Sequence, residues 1–332
     1  MLKNKTILVT GGTGSFGSAF VKKVLNDYNP KKVIIYSRDE MKQWHLSQQY
    51  KNEDRIRFFI GDVRDKDRLH RAFHNIDVVV HAAALKIVDT AEYNPFEFVK
   101  TNIFGAMNII DAAIDQKVQN VVALSTDKAS NPINLYGASK LASDKLFISG
   151  NSYTGDANTK FSIVRYGNVM GSRGSVIPLF IKQSKSGELT VTDDKMTRFM
   201  ISIEDAIEFV VNSLNIMVGG EIFVKKTPSM KVIDIAKTIA PKANIKIIGK
   251  RPGEKMHEQM IGSEDANHTY EMSDSFAILP ETEDIAKFNK LIKNANKVKK
   301  DFSYESSTND IFMTNEELSD WINKNIDFLS NN

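Results

Sequence analysis

Residues 6–17 constrain the fold more than any other stretch. Thr6-Ile7-Leu8-Val9-Thr10 runs directly into Gly11-Gly12-Thr13-Gly14-Ser15-Phe16-Gly17. The first five residues read as a buried strand, and the amphipathic stretch from Ser15 to Asn26 reads as a helix. Gly11, Gly14 and Gly17 are spaced G-x-x-G-x-x-G between the two. Glycine permits a tight turn and lets backbone N–H groups approach a phosphate, at a helix N-terminus that favours negative charge. The segment Gly11, Thr13, Gly14, Ser15, Phe16 and Gly17 is therefore expected to cradle a dinucleotide pyrophosphate.

The pattern continues through the first half. Lys32–Tyr36, Ile56–Ile60, Asp77–Val80, Asn120–Leu124 and Phe161–Arg165 are further apolar runs separated by helix-length segments. Near-continuous apolar strands alternating with helices indicate a parallel sheet covered on both faces, and right-handed crossovers make it doubly wound. From Tyr166 the texture changes, with Gly167, Gly171, Gly174, Pro178, Gly187 and Pro228 interrupting it. Ile203–Ile216 still reads as a helix and Glu221–Val224 as a strand. The expectation is an α/β chain: a Rossmann-like doubly wound parallel sheet with a smaller, discontinuous C-terminal substrate lobe. The dinucleotide-binding domain would take residues 1–166, with 203–225 returning to it, and the lobe 167–202 and 226–332. Asn289–Lys300 is expected to be a helix with a solvated lysine face, and Asn315–Ile326 an amphipathic helix with Trp321 as a packing anchor.

Composition narrows the function classes. The 332 residues contain no cysteine, which excludes a thiolate nucleophile, a disulfide framework and cysteine-ligated metal. A net charge of +3 predicts no strong nucleic-acid or membrane-surface field. The six histidines share no ligand-type spacing, so no metal site is expected. No apolar stretch approaches the ~20 residues of a bilayer span, and no signal-peptide pattern follows Met1. A soluble cytoplasmic protein is expected.

The end of the second strand selects the cofactor. A carboxylate there would accept hydrogen bonds from a ribose 2′-hydroxyl. Here Ser37 and Arg38 come first in Tyr36-Ser37-Arg38-Asp39-Glu40, and a hydroxyl with a guanidinium suits a 2′-phosphate, so the residues favour NADP. Asp62 and Val63 follow the third strand, where adenine contacts are expected. Ala82, Ala83 and Ala84 follow His81, giving small residues where a nicotinamide ribose must lie close. His81 itself is expected to be a structural hydrogen-bonder.

Tyr136-Gly137-Ala138-Ser139-Lys140 places Tyr136 and Lys140 on one helix face. A free phenol has a pKa of about 10, and a neighbouring ammonium with an oxidised nicotinamide would lower it. Thr126-Asp127-Lys128 leaves the fifth strand, at the end that faces the ligand crevice. Two adjacent ionisable residues there indicate proton transfers beyond simple alcohol oxidation.

The glycine turn with Tyr136 and Lys140 resembles the extended short-chain dehydrogenase/reductase superfamily. The resemblance narrows on Ala83-Ala84-Leu85-Lys86, Glu92-Tyr93-Asn94-Pro95, the run from Thr126 to Gly137, Arg165-Tyr166-Gly167-Asn168-Val169, Met196-Thr197-Arg198-Phe199, Gly219–Val224 and Arg251-Pro252-Gly253-Glu254-Lys255. Over about residues 5 to 310 the chain is similar to the inverting UDP-N-acetylglucosamine 4,6-dehydratases (5-epimerising) of the pseudaminic acid pathway, which serves flagellin glycosylation. Membrane-anchored retaining relatives carry Met at the place of Tyr136. Ile87-Val88-Asp89 departs from the family pattern of a polar residue followed by Val-Pro.

The resemblance implies a lyase with recycled NADP. Tyr136, Lys140, Thr126, Asp127 and Lys128 would be catalytic, with Lys128 the base for the C5 proton and protonated Asp127 the donor to the C6 hydroxyl. Lys86, Lys140 and the cofactor ring would depress the lysine's pKa. Lys42, Lys86 and Thr101 would join the cofactor contacts. Lys86, Tyr136, Asn168, Arg173, Val176, Pro178, Thr190, Arg198, Met230, Arg251 and Glu254 would meet the substrate, with Arg198 and Arg251 on the diphosphate and Glu254 on the uridine ribose. His257 reads as structural. The partner is a small molecule, UDP-N-acetylglucosamine, and a homo-oligomer, dimer or hexamer, is expected. A nucleotide-sugar 4-epimerase or a retaining 4,6-dehydratase is the alternative; an epimerase has no C5 proton to remove. A cofactor-binding regulator without turnover would not need Tyr136, Lys140, Asp127 and Lys128 together.

Overall fold

The computed structural model describes residues 1–326 and Leu329. Seven parallel strands form the body of one sheet: β1 (Thr6–Thr10), β2 (Lys32–Ser37), β3 (Ile56–Ile60), β4 (Val78–His81), β5 (Asn120–Thr126), β6 (Lys160–Tyr166) and β7 (Ile222–Lys225). Their spatial order is β3-β2-β1-β4-β5-β6-β7. The order reverses between β1 and β4, where such sheets open a ligand crevice. Three short strands continue the sheet, each antiparallel to the one before: β8 (Thr269–Glu271), β9 (Ser275–Ile278) and β10 (Asn296–Lys297), in the order β7-β9-β8-β10.

The covering helices are α1 (Ser15–Asp27), α2 (Lys66–Ala72), α3 (Gly105–Asp115), α4 (Leu135–Gly150) and α5 (Ile203–Ile216). Alternation along each strand sends Ile7 and Val9 to one face and Leu8 to the other. The first face packs on Phe20, Val24, Phe209 and Val210 of α1 and α5. The second packs on Leu69, Ile109, Ile110 and Phe147 of α2, α3 and α4. Each such side chain, withdrawn from water, contributes roughly 1.5–3 kcal/mol. Two-sided burial is why these strands read as continuous apolar runs.

The lobe has its own core, built from Met170, Ile177, Phe180, Leu189, Met200, Ile235 and Leu318. In it, strand Thr197–Ile201 lies between Asn168–Val169 and Ser229–Lys231, and helices Val176–Ser184, Val232–Ile239 and Asn315–Lys324 cover it. The chain after residue 225 divides between lobe and sheet, because β8, β9 and β10 extend the main sheet rather than the lobe. The stretch 289–300 is not one helix: a short turn, Asn289–Ile292, gives way to β10, which pairs with β8. Backbone pairing at the sheet edge wins there over helical propensity. Trp321 packs partly buried on the lobe core, in a helix opened by a capping box of Thr314 and Glu317. Among the described residues no helix is long and apolar enough to cross a membrane.

Candidate active site

A cavity of about 580 Å³ lies at the carboxyl ends of β1, β4, β5 and β6, closed on its far side by the lobe. Gly11, Gly14, Ser15, Phe16 and Gly17 line it, while Thr13 sits half-buried in the same turn. Gly11 has φ +67, and a Cβ there would lie 2.9 Å from the Ala83 nitrogen, so only glycine lets β1 and β4 converge. Gly14 caps α1 without a side-chain hydrogen bond, leaving the first-turn N–H groups facing the cavity for an anion. A dinucleotide pyrophosphate fits this backbone cradle.

At the end of β2, Ser37 is buried and its hydroxyl accepts from Gln43 Nε2 at 3.1 Å. Arg38 is half-exposed, with Nη1 3.8 Å from Asp62 Oδ2. Asp39 caps the next helix, accepting from the Lys42 amide at 2.9 Å, and its other oxygen lies 3.0 Å from Lys42 Nζ. The acidic residue nearest the strand end is thus engaged by its own helix, leaving Arg38 foremost. Asp62 also holds Arg64 at 2.7 Å, and Val63 is buried in the core. Ser37, Arg38, Asp62 and Val63, at or just beyond the ends of β2 and β3, and Lys42, in the first turn of the helix Glu40–Gln49, stand outside the cavity wall proper.

Ala82 and Ala84 line the cavity, and Ala83 donates to Thr10 Oγ1 at 3.3 Å. His81 is buried with its ring 2.8 Å from the same hydroxyl; burial brings its pKa down to about 3, so it is neutral and structural. Thr101 is buried on a π-helical turn, Val99–Phe104, off the cavity wall. The next residue, Asn102, was not singled out by the sequence. Its side chain holds both backbone groups of Leu85 and donates to Ser139 Oγ at 2.9 Å, tying the loop after β4 to α4.

Thr126 ends β5, and Asp127 and Lys128 form a single 3-10 turn. This turn lies directly on α4, where a Cβ on Gly137 would overlap the Lys128 carbonyl oxygen. Asn134 caps α4 by accepting from the Gly137 amide at 2.8 Å. Tyr136 and Lys140 project from one face of α4 into the cavity. Lys140 Nζ donates to the Leu124 carbonyl at 2.8 Å, and burial lowers its pKa while Asp144 opposes. Ser125 donates to Asp144 Oδ2 at 2.6 Å and Arg165 pairs with it at 3.2 Å.

Lys128 Nζ stands 3.0 Å from Asp127 Oδ1 and 3.0 Å from Glu258 Oε1. The expected depression of the lysine's pKa does not occur here. Burial disfavours the ammonium, but the two carboxylates together outweigh it and raise the value. Burial raises the Asp127 carboxyl, Glu258 adds to that, and Lys128 opposes. Tyr136 is likewise pushed up to about 12 by burial, with Lys128 and the Thr126 hydroxyl pulling the other way. Lys140 spends its contact on Leu124, so without cofactor the phenol is neutral. Lys86, on the wall, has its pKa lowered by burial and then by Lys128 and Arg173.

Asn168, Arg173, Val176, Thr190, Arg198, Arg251 and Glu254 all reach the cavity. Arg198 Nη2 lies 3.3 Å from Glu254 Oε1, and Arg251 Nη1 lies 3.4 Å from Asp89 Oδ2. Thr190 accepts from Gln183 at 2.8 Å. Pro178 stands in the first turn of helix Val176–Ser184, off the wall, and Met230 is 1% exposed in the lobe core behind Arg198. His257 bonds Thr197 Oγ1 at 2.8 Å within the lobe. Glu258 and Lys255, both on the cavity, are functional groups that the sequence reading missed. A Glu followed by Gln-Met-Ile carries no pattern that separates a buried carboxylate from a surface one.

A doubly wound sheet with a glycine turn after its first strand, and a Tyr/Lys pair on one helix facing the same cavity, defines an extended short-chain dehydrogenase/reductase. More particularly, the chain belongs to the polysaccharide biosynthesis protein family, which matches residues 7–280. It is 52% identical over 330 residues to the UDP-N-acetylglucosamine 4,6-dehydratase (inverting) of Campylobacter jejuni, covering 97% of this chain and 98% of that protein. It is also 43% identical over 288 residues to the UDP-glucose 4-epimerase of Rickettsia canadensis, covering 84% of each. The crystal structure of Pen from Bacillus thuringiensis superposes with a TM-score of 0.91 at 39% identity, over 99% of this chain and 100% of that one. The NAD-bound dTDP-glucose 4,6-dehydratase DesIV of Streptomyces venezuelae superposes at 0.69 and 25% identity, over 76% of this chain and 86% of its own.

Proposed function

We propose that this chain dehydrates UDP-N-acetylglucosamine across C5 and C6 with inversion at C5, giving UDP-2-acetamido-2,6-dideoxy-β-L-arabino-hexos-4-ulose, with NADP as recycled cofactor. The observation that carries this is the Asp127–Lys128 pair, in direct contact and open to the cavity that Tyr136 faces. An alcohol oxidoreductase or a 4-epimerase has no proton transfer at C5 or C6 for such a pair to perform. The inverting dehydratase of Campylobacter jejuni supports the same reading.

The bound nicotinamide would accept hydride from C4 and give the same hydride back at C6 after water is lost, which leaves no net redox change. The chain's own groups move the protons. Tyr136, with the Thr126 hydroxyl and Lys128 favouring its ionised form, would take the C4 hydroxyl proton as the phenolate once the positive charge of the bound cofactor has completed its ionisation. The resulting ketone acidifies the C5 proton. In the resting pair Lys128 is an ammonium; moving one proton from its Nζ to Asp127 Oδ1, 3.0 Å away, makes the base and the acid together and leaves net charge unchanged. Lys128 then removes the C5 proton and Asp127 gives its own to the C6 oxygen, which leaves as water. Return of a proton to C5 on the opposite face inverts that centre.

Arg198 and Arg251 suit the diphosphate, with Arg173 beside them, because guanidinium matches phosphate oxygens. Glu254 suits the uridine ribose, and Asn168 and Lys86 the sugar or its phosphates. For the cofactor, Arg38 favours a 2′-phosphate, since the neighbouring carboxylates are already engaged, Asp39 by Lys42 and Asp62 by Arg64. On the family resemblance the proposal extends to a cytoplasmic homo-oligomer that feeds pseudaminic acid synthesis.

Incubation of the purified protein with UDP-N-acetylglucosamine in heavy water, followed by NMR, tests the reading. Deuterium at C5, inverted configuration and no external reductant consumed are expected. A product changed only at C4 would establish the epimerase instead, and retained C5 configuration the retaining dehydratase.

A further inference from the structure

We infer that Glu258 is the positioning residue that fixes Lys128 and sets how many protons the Asp127/Lys128 pair holds. The inference rests on the reading of that pair as acid and base. Lys128 Nζ is bracketed by Asp127 Oδ1 and Glu258 Oε1, each at 3.0 Å, and the Glu258 side chain is 2% exposed. The two carboxylates come from elements far apart in sequence: Asp127 from the turn after β5, Glu258 from the segment leading into strand Gln259–Ile261.

Glu258 is itself held firmly. Its amide donates to Ser306 Oγ at 2.9 Å, and its carbonyl accepts from the Ser306 amide at 2.8 Å. One carboxylate oxygen, Oε2, and Asp127 Oδ2 are buried without a protein partner among the described residues. Buried polar atoms normally find partners, so these two mark where a bound hydroxyl or water completes the site.

The charges facing Glu258 come from every packed element. They are Asp127 and Lys128 after β5, Arg198 at 3.9 Å from strand Thr197–Ile201, and Lys255 on its own segment. Glu305, on the strand paired with Gln259–Ile261, acts on Lys255, and Lys86 faces Lys128. Lys128 and Arg198 keep Glu258 ionised against its burial. An ionised Glu258 disfavours a second carboxylate at Asp127 and favours the ammonium at Lys128. The working pair needs one proton on Asp127 and none on Lys128, so it fails when it gains a proton at low pH or loses one at high pH. Glu258 raises both transitions together.

The test compares the pH profiles of kcat for conversion of UDP-N-acetylglucosamine by the wild-type protein, Glu258→Gln and Glu258→Asp, with cofactor content and thermal melting as checks on folding. For Glu258→Gln both limbs are expected to move to lower pH by about one unit, with kcat down about 10-fold at the wild-type optimum and KM within about threefold. Limbs that stay in place overturn the inference, whatever the loss of rate, and so does a KM change with kcat intact. Should Glu258→Gln not fold, Glu258→Asp decides: it keeps the charge but withdraws it, so kcat should fall with the limbs unmoved, and a normal kcat or displaced limbs overturn the inference. A wild-type protein that leaves the sugar nucleotide unchanged overturns the functional reading itself, and this inference with it.

Discussion

The two walls of the cavity are built on opposite plans. On the sheet wall, most of the fixed groups are tied to backbone or to a neutral partner, Lys140 to the Leu124 carbonyl, His81 to Thr10 and Asn102 to Leu85, with Asp127 and Lys128 as the ion pair among them. On the lobe side, charges hold charges: Arg198 with Glu254 and Glu258, and Arg251 with Asp89, which reaches it from the segment after β4. The sheet wall is preset for a ligand that always has the same shape. On the proposed function, a diphosphate would have to compete with these carboxylates for the cations, so selectivity there would be a contest between anions. Lys128 joins the two sides, held by Asp127 of the turn after β5 and by Glu258, which also faces Arg198 of the lobe.

Four substitutions sharpen or break this contrast. Lys128→Ala has the largest effect: kcat is expected to fall by about 10²–10⁴, while the sheet wall still binds cofactor, as measured by bound nucleotide after purification. Normal turnover would remove Lys128 from the chemistry. Arg198→Met should raise KM for UDP-N-acetylglucosamine roughly 30-fold, because one cation is lost and two carboxylates are left facing the diphosphate. An unchanged KM would show the lobe wall to be indifferent to charge. Arg38→Asp should shift the ratio of NADP to NAD affinity by about 10-fold toward NAD, read by titration. An unaltered ratio would contradict the 2′-phosphate assignment.

The smallest effect concerns stability. Unfolded His81 takes up a proton below about pH 6.5, whereas the folded imidazole stays neutral down to about 3. Below pH 6.5 the unfolded chain therefore binds the extra proton, and stability falls as the solution is acidified. His81→Asn should flatten the decline of Tm between pH 6.5 and 4 relative to the wild type. Parallel curves would mean that other groups govern acid stability.

The same contrast explains what could be read without the structure. Ile7, Val9 and Leu8 announce β1 because both faces of a parallel strand are buried, and the glycine turn follows from what a pyrophosphate demands. Tyr136 and Lys140 are legible from a local spacing on one helix. Glu258 is not, since its role depends on Ser306 and Lys128, which lie far from it in sequence and meet only in the fold. The lysine's raised pKa was hidden for the same reason: Asp127 is visible beside it, its second carboxylate is not. Residues 289–300 misled as a helix because their pairing partner, Thr269–Glu271, decides their conformation. Met230 and Pro178 fall behind the wall because the lobe's short elements give no period from which to infer a face.

Synthesis of the substrate with deuterium at C4, followed by a single turnover and NMR of the product, reaches the central claim most directly. If one hydride leaves C4 and returns within the same cavity, the label appears at C6 and no reduced cofactor accumulates. Label still at C4, or lost from the sugar altogether, would contradict it.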